Sequence, residues 1–284
     1  MTVTQALAAA HRLGLDRLDA QLLLLHALGK SDGQRAWLLA HDGDTLAGEV
    51  VDAFKTLSLR RSAGEPLAYI VGYKEFFGLR FNVDARVLVP RPDTETLVQW
   101  ALEVVHGIHE PDLLDLGTGS GAVGIAIARS VKCAITATDF SLDALAVASQ
   151  NATQLGVDVR FIHSNWFAKV SGHYRVIASN PPYIASADPH LAALTHEPLN
   201  ALAAGQDGLD DIRQIISAAP DHLHPGGWLL LEHGYDQAAR VREMLTHLGF
   251  GQVQSRTDLA GIARCSGGRW DNPKTEFFKG QDHG

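Results

Sequence analysis

Residues 112–124 read DLLDLGTGSGAVG, an apolar run that breaks into three alternating glycines before helical spacing resumes at Ala122. The pattern is a β-strand, a tight turn and a helix start. Gly117, Gly119 and Gly121 let backbone pass close to a ligand where a Cβ would collide. Working outward, strand-like and helical runs alternate: AITATD (134–139), a helix over 141–155, VRFIH (159–163), YRVIASN (174–180), a helix near 209–218, WLLLEHG (228–234) and a helix over 235–248. Such alternation predicts an α/β fold, a doubly wound and mostly parallel sheet. Two final runs, GQVQSRTD (251–258) and IARCSG (262–267), predict an antiparallel pair at its edge.

Upstream the periodicity changes. Residues 3–63 read as a small helical bundle, broken at Gly14, Gly29–Gly33 and His41–Asp44, with Ala47, Val51, Phe54 and Leu57 on one helical face and a capping-box pattern at Ser31 and Gln34. Gly64, Glu65 and Pro66 end it. The stretch LAYIVGYKEFFGLRFNVDARVLV (67–89) is rich in aromatic and β-branched residues and reads as a connecting β-hairpin. After Pro90, Arg91 and Pro92, helical spacing returns from Asp93 to Val105. The expected organisation is a helical substrate-recognition domain over 1–74, a β-hairpin linker over 75–90, the sheet domain over 91–270 and a polar tail over 271–284.

Charge and composition remove several function classes. With 32 acidic against 24 basic residues, a net charge of -8 and no basic run, a partner held by phosphate contacts is disfavoured, so no direct nucleic-acid binding is expected. Cys133 and Cys265 stand far apart without a CxxC, and the 14 histidines show no metal spacing, so no metal site is expected. The N-terminus lacks a basic signal-like segment, and the longest aliphatic run, Leu22–Leu25, falls far short of the ~20 residues that span a bilayer. A cytoplasmic, monomeric protein without membrane attachment is expected.

The glycine turn admits two cofactors. Gly119, Gly121 and Gly124 spell GxGxxG, the dinucleotide fingerprint, which alone is a weak signal. Asp115 at the strand end, glycines following at once, and Asp139 closing the next strand favour S-adenosylmethionine, with residues 117–121 (Gly117, Thr118, Gly119, Ser120, Gly121) around its amino-acid portion. Asp139 offers two acceptor oxygens to ribose hydroxyls, a geometry that also serves NAD. Trp166 follows the third strand, either as a stacking surface for adenine or as a core tryptophan.

The segment SNPPY (179–183) carries the chemistry. An amide nitrogen is a poor nucleophile because its lone pair is delocalised, so a site that methylates it must hold that lone pair toward the sulfonium methyl. The Asn180 side-chain oxygen and the Pro181 carbonyl can each accept one N–H of a substrate NH2. Pro181 and Pro182 stiffen the loop in advance, and Tyr183 supplies a flat face for the amide. Arg91 reads as a structural salt bridge, Glu197 as a solvated loop carboxylate, and Glu232 and His233 as residues on the ligand-bearing edge, His233 hydrogen-bonded and structural.

These segments, together with VLVPRPDTETLV, DPHL, EPLNAL and LLLEHG, resemble the peptide chain release factor glutamine methyltransferases of the PrmC/HemK type over nearly the whole chain. The resemblance implies a seven-stranded class I methyltransferase sheet and S-adenosyl-L-methionine as cofactor, with S-adenosyl-L-homocysteine as product. It also implies class I release factors as substrate, methylated at the glutamine of their Gly-Gly-Gln motif and gripped with help from the N-terminal domain. Cofactor contacts are implied at Gly117–Gly121, Asp139, Trp166 and Asn180, and substrate contacts at Asn180, Pro181, Pro182 and Tyr183. Asn165 stands where the family often has aspartate, which puts a carboxylate contact there in doubt. A ribosomal-protein glutamine methyltransferase and a DNA or RNA adenine amino-methyltransferase share the Asn-Pro-Pro-Tyr box. A binding scaffold on a degenerate fold and a dehydrogenase are the further alternatives.

Overall fold

The computed structural model describes residues 1–271; all of the polar tail except Asp271 lies outside them. The chain divides into two compact units, Met1–Tyr73 and the chain from Lys74 on.

The first unit holds α1 (Val3–Arg12), α2 (Arg17–Ala27), α3 (Arg35–Ala40), α4 (Gly48–Ser62) and α5 (Leu67–Val71). Thr2 caps α1, and Asp16 caps α2 by accepting the Asp19 N–H at 2.8 Å. The core gathers Val3, Ala6, Leu23, Leu24, Leu25 and Phe54. On α4 the expected face is shifted: Ala47 is the exposed N-cap residue, and Ser58 is buried in its place.

The aromatic stretch that read as one long hairpin is shorter and starts later. Pro66 and Gly72, the latter left-handed at φ 85°, bracket Leu67–Val71 as α5. A proline start and a glycine stop outweigh the β-propensity of five residues. The hairpin is β1 (Tyr73–Phe76) and β2 (Leu79–Asn82). From Val83 to Val89 there is no strand, because Asp84 closes a turn by accepting the Arg86 N–H at 3.0 Å while its carbonyl accepts the Val87 N–H at 3.1 Å.

The sheet domain follows with α6 (Glu95–Val105), β3 (Asp112–Leu116), α7 (Ala122–Ser130), β4 (Ala134–Asp139), α8 (Leu142–Leu155), β5 (Val159–His163), β6 (Tyr174–Ser179), α9 (Asp210–Ala218), β7 (Leu223–Glu232), α10 (Ala238–Leu248), β8 (Gly251–Thr257) and β9 (Ala263–Trp270). Strand order is β5-β4-β3-β6-β7-β9-β8. All neighbours are parallel except β9, which runs antiparallel to both β7 and β8; the pair therefore sits with β9 inside and β8 at the edge. Alternate side chains feed two cores. Leu113, Val176 and Leu230 pack toward α6 and α7, while Leu114, Leu116, Ile177, Leu229 and Leu231 join the cluster of α9 and α10.

Strand order reverses between β3 and β6, and ligands bind in the crevice beyond the strand ends at such a switch point. The register sets Leu116 opposite Ser179, so Gly117 and Asn180 leave the sheet side by side.

Candidate active site

A cavity of about 590 Å³ opens at the carboxyl ends of these strands. Its floor is the glycine turn. Asp115 is buried and accepts the Thr118 hydroxyl at 2.6 Å and the Gly124 N–H at 3.0 Å; burial pushes its pKa up to about 6. A Cβ at Gly124 would come within 3.1 Å of that carboxylate, so this glycine serves strand–helix packing, not a ligand. Gly121 likewise borders no part of the cavity and instead starts α7 in the left-handed conformation. Gly117, Thr118, Gly119 and Ser120 all line it.

Asp139 Oδ2 accepts the Gly119 N–H at 2.9 Å and Oδ1 the Ser141 N–H at 2.8 Å. Asp139 itself lines the cavity. Burial raises the pKa of this carboxyl, countered by the N–H groups of Ser141, Gly119 and Phe140 and by His163. Trp166 lines the cavity and also packs against the α9–α10 core. Its backbone sits at φ 44°, its Nε1 donates to Asp211 Oδ1 at 3.1 Å, and its ring lies where a Cβ on Gly117 would approach within 3.2 Å.

Asn180 lines this cavity and a smaller one of about 110 Å³ bordered by Arg91, Tyr183 and Leu194. Its Nδ2 donates to the Thr94 hydroxyl at 3.2 Å, which turns Oδ1 away from that partner. Pro182 lines the larger cavity and Tyr183 the smaller, whereas Pro181 is buried and borders neither. The Tyr183 hydroxyl donates to Glu232 Oε1 at 3.4 Å, and its carbonyl accepts from Gln237 Nε2 at 3.0 Å. Glycine is required at 208, where φ is 72° and a Cβ would sit 2.1 Å from the Tyr183 carbonyl oxygen.

Residues 2–72 match the PrmC N-terminal domain and residues 94–205 the methyltransferase small domain. The release factor glutamine methyltransferase of Bordetella pertussis is 48% identical over 260 residues, covering 90% of this chain and 95% of its own. That of Burkholderia pseudomallei is 47% identical over 266 residues, with 90% and 92% covered. The chain belongs to the release factor glutamine methyltransferase family. A methyltransferase structure from Pyrococcus furiosus, 21% identical, shares the fold at a TM-score of 0.52 over 75% of this chain and 98% of that one.

Two weaker candidates of this methyltransferase are explained by packing, one of them against expectation. Glu197 is not a solvated loop carboxylate: it is buried, pairs with Arg91 and accepts the Val89 N–H at 3.2 Å, pinning the loop after Tyr183 to residues 89–91. His233 is buried and structural, with Nε2 2.7 Å from the Ser266 hydroxyl, and burial lowers its pKa. The sequence reading gave no role to Thr94, which lies before α6 within VLVPRPDTETLV, or to Phe140, which stands two-thirds exposed and lines the cavity. Among the described residues no helix is long and apolar enough to cross a membrane.

Proposed function

We propose that this methyltransferase transfers the methyl group of S-adenosyl-L-methionine to the side-chain amide nitrogen of the Gly-Gly-Gln glutamine in class I peptide chain release factors, releasing S-adenosyl-L-homocysteine. The observation that carries this reading is Asn180 at the junction of two cavities, with its NH2 committed to Thr94 and its oxygen left to accept an N–H of the substrate amide. That acceptor fixes the amide plane so that the nitrogen lone pair faces the methyl carbon. As the N–C bond forms and the C–S bond breaks, positive charge grows on the N–H groups and strengthens the hydrogen bond. The proton is then lost to solvent. The expected second acceptor, the Pro181 carbonyl, borders neither cavity, so Asn180 bears the positioning.

The larger cavity suits this cofactor. Asp115, Asp139, Asp143 and Asp211 line it, and Arg86 is the one basic residue lining it among the described residues, itself paired with Asp84. An acidic wall favours the sulfonium and ammonium charges and disfavours the pyrophosphate of a dinucleotide. Asp139 would accept the ribose hydroxyls, Gly117–Ser120 would contour the amino-acid portion, and Trp166 with Phe140 would flank the adenine. The N-terminal helical unit grips the release factor, and the enzyme acts in the cytoplasm, where these factors work. Incubation of a class I release factor with enzyme and S-adenosylmethionine, read by intact mass and peptide mapping, is expected to show one added methyl on that glutamine. No transfer by folded, cofactor-binding enzyme would refute the reading and direct the assay to ribosomal proteins.

A further inference from the structure

Among the buried residues of α8, otherwise Ala144, Leu145, Val147, Ala148 and Ala152, stands one asparagine. Asn151 is fully buried, and a side-chain amide in that position costs stability unless its polar atoms are bonded. Both of them find backbone. Oδ1 accepts the Asn82 N–H at 2.8 Å, while Nδ2 donates to the Asn82 carbonyl at 3.0 Å and to the Ser120 carbonyl at 2.9 Å. The first two bonds give Asn82 what the peptide group of a neighbouring strand would give it. The third reaches a different segment, the glycine turn.

What these bonds join distinguishes Asn151 from an ordinary core amide. Asn82 ends β2, and the chain that leaves it supplies Ala85, Arg86, Val87 and Leu88 to the lining of the larger cavity, to which Ser120 also belongs. This segment is anchored by the buried Val83 and Val87, closed by the Asp84 turn and tied at its far end through the Val89 N–H to Glu197. The glycine turn takes its shape from its own strand and helix; Asn151 fixes where that turn stands relative to residues 83–88. Gln154 offers a contrast one turn further along α8. It accepts from Asn82 Nδ2 at 2.7 Å and donates to the Arg80 carbonyl at 3.3 Å, so it too holds β2 to α8, but it has no bond to the glycine turn.

We propose that Asn151 is a positioning residue for cofactor binding: by bonding Asn82 and Ser120 at once, it holds residues 83–88 in register with the glycine turn, so that the cavity they line is formed before S-adenosylmethionine enters. Without those bonds the Asn82 and Ser120 carbonyls would turn toward water, and the free-energy cost of ordering residues 83–88 would fall on the binding step. The Asn180 side of the site would keep its own hydrogen bonds. The proposal rests on the S-adenosylmethionine reading given above for the identity of the ligand, whereas the three bonds belong to the free protein.

The test compares three variants of the full chain. Asn151→Asp keeps the side-chain shape and the acceptor for the Asn82 N–H but sets an oxygen against two carbonyls; Asn151→Ala removes all three bonds. In calorimetric titration each is expected to raise the S-adenosylmethionine Kd by about tenfold or more, while Gln154→Ala, which loosens β2 without touching the glycine turn, leaves it within about twofold. With release factor, kcat at saturating cofactor should fall by less than about threefold in the Asn151 variants, so that the loss sits in the cofactor KM. A folded Asn151 variant with the wild-type Kd overturns the proposal. An equal loss in Gln154→Ala also overturns it, because Asn151 would then be one of two props under β2. Should neither Asn151 variant fold, hydrogen exchange in the wild type decides: cofactor at about 100 times Kd is expected to slow the Asn82 N–H by about tenfold or more, and an unchanged rate overturns the proposal. Wild-type enzyme that binds no S-adenosylmethionine refutes the cofactor reading and the proposal with it; wild type and Asn151 variants that bind equally well refute the proposal alone.

Discussion

The two walls of the active site are built differently. On the glycine-turn side, carboxylates accept backbone N–H groups and hydroxyls close in sequence: Asp115 from residues three and nine positions away, Asp139 from one twenty away. On the Asn180 side, side chains bond side chains across long gaps, 86 residues from Asn180 to Thr94 and 49 from Tyr183 to Glu232. The first wall is a self-contained strand–turn–helix device that shapes a cofactor-sized hollow. The second exists only once β6, β7 and the turn before α6 have met, and its worth lies in the direction of each hydrogen bond.

Substitutions in the two walls should therefore fail differently. The largest effect is expected from Asn180→Ala, with kcat on a release factor down by about 10²–10³ or more and the cofactor affinity kept, since only an orienting acceptor is lost. A parallel loss of cofactor binding, measured by calorimetric titration, would erase the distinction between the walls. Asp139→Ala should do the opposite, weakening S-adenosylmethionine by roughly 10–100-fold through lost charge-assisted hydrogen bonds. An unchanged Kd there removes Asp139 from the ribose role.

A third substitution probes the clasp that holds the second wall. Glu197→Ala leaves Arg91 without its buried partner and Val89 N–H without its acceptor, and is expected to cost about 1–3 kcal/mol of unfolding free energy, read from denaturant titration. Arg91 is about two-fifths exposed and can rehydrate, which keeps the effect toward the lower end. A stability equal to wild type would show that the loop is held by its apolar contacts alone.

The smallest effect concerns pH. Asp115 and Glu232 have folded-state pKa values raised to about 6 and about 7, so the folded chain holds protons that the unfolded chain releases. Their contribution to stability is full below the unfolded carboxyl pKa values near 4 and is lost as pH rises through about 6 and then 7. Glu232→Gln should thus lose less Tm than the wild type between about pH 5.5 and 8. An identical slope in both proteins would show that Glu232 does not change protonation on unfolding.

Much of the sheet domain was legible beforehand. All seven strands of the sheet overlap the runs that predicted them, although β7 starts five residues earlier than expected, at Leu223; the central β3, β4 and β6 were legible because a parallel strand buried on both faces must be largely apolar along its length. The glycine turn and Asp139 were legible for the same reason that their wall is local: a strand end, a left-handed turn and a helix start leave fixed residue types at fixed spacings. Errors fell where composition and context competed. Leu67–Val71 has strand-like residues but helix-forming brackets, and Glu197 is a loop carboxylate that only a distant arginine reveals as buried.

The sequence by itself determined the alternating α/β domain, the helical N-terminal unit and the chemical types present at Gly117–Gly121, Asp139 and Asn180–Tyr183. Periodicity and turn chemistry are short-range properties, and a chain carries them wherever it goes. Only the tertiary structure decided that β9 inserts beside β7, that Thr94 holds the Asn180 amide, and that Glu232 lies buried against the Tyr183 hydroxyl. Those facts depend on pairs of residues with no sequence proximity, and on which end of a hydrogen bond carries the proton, which no spacing encodes.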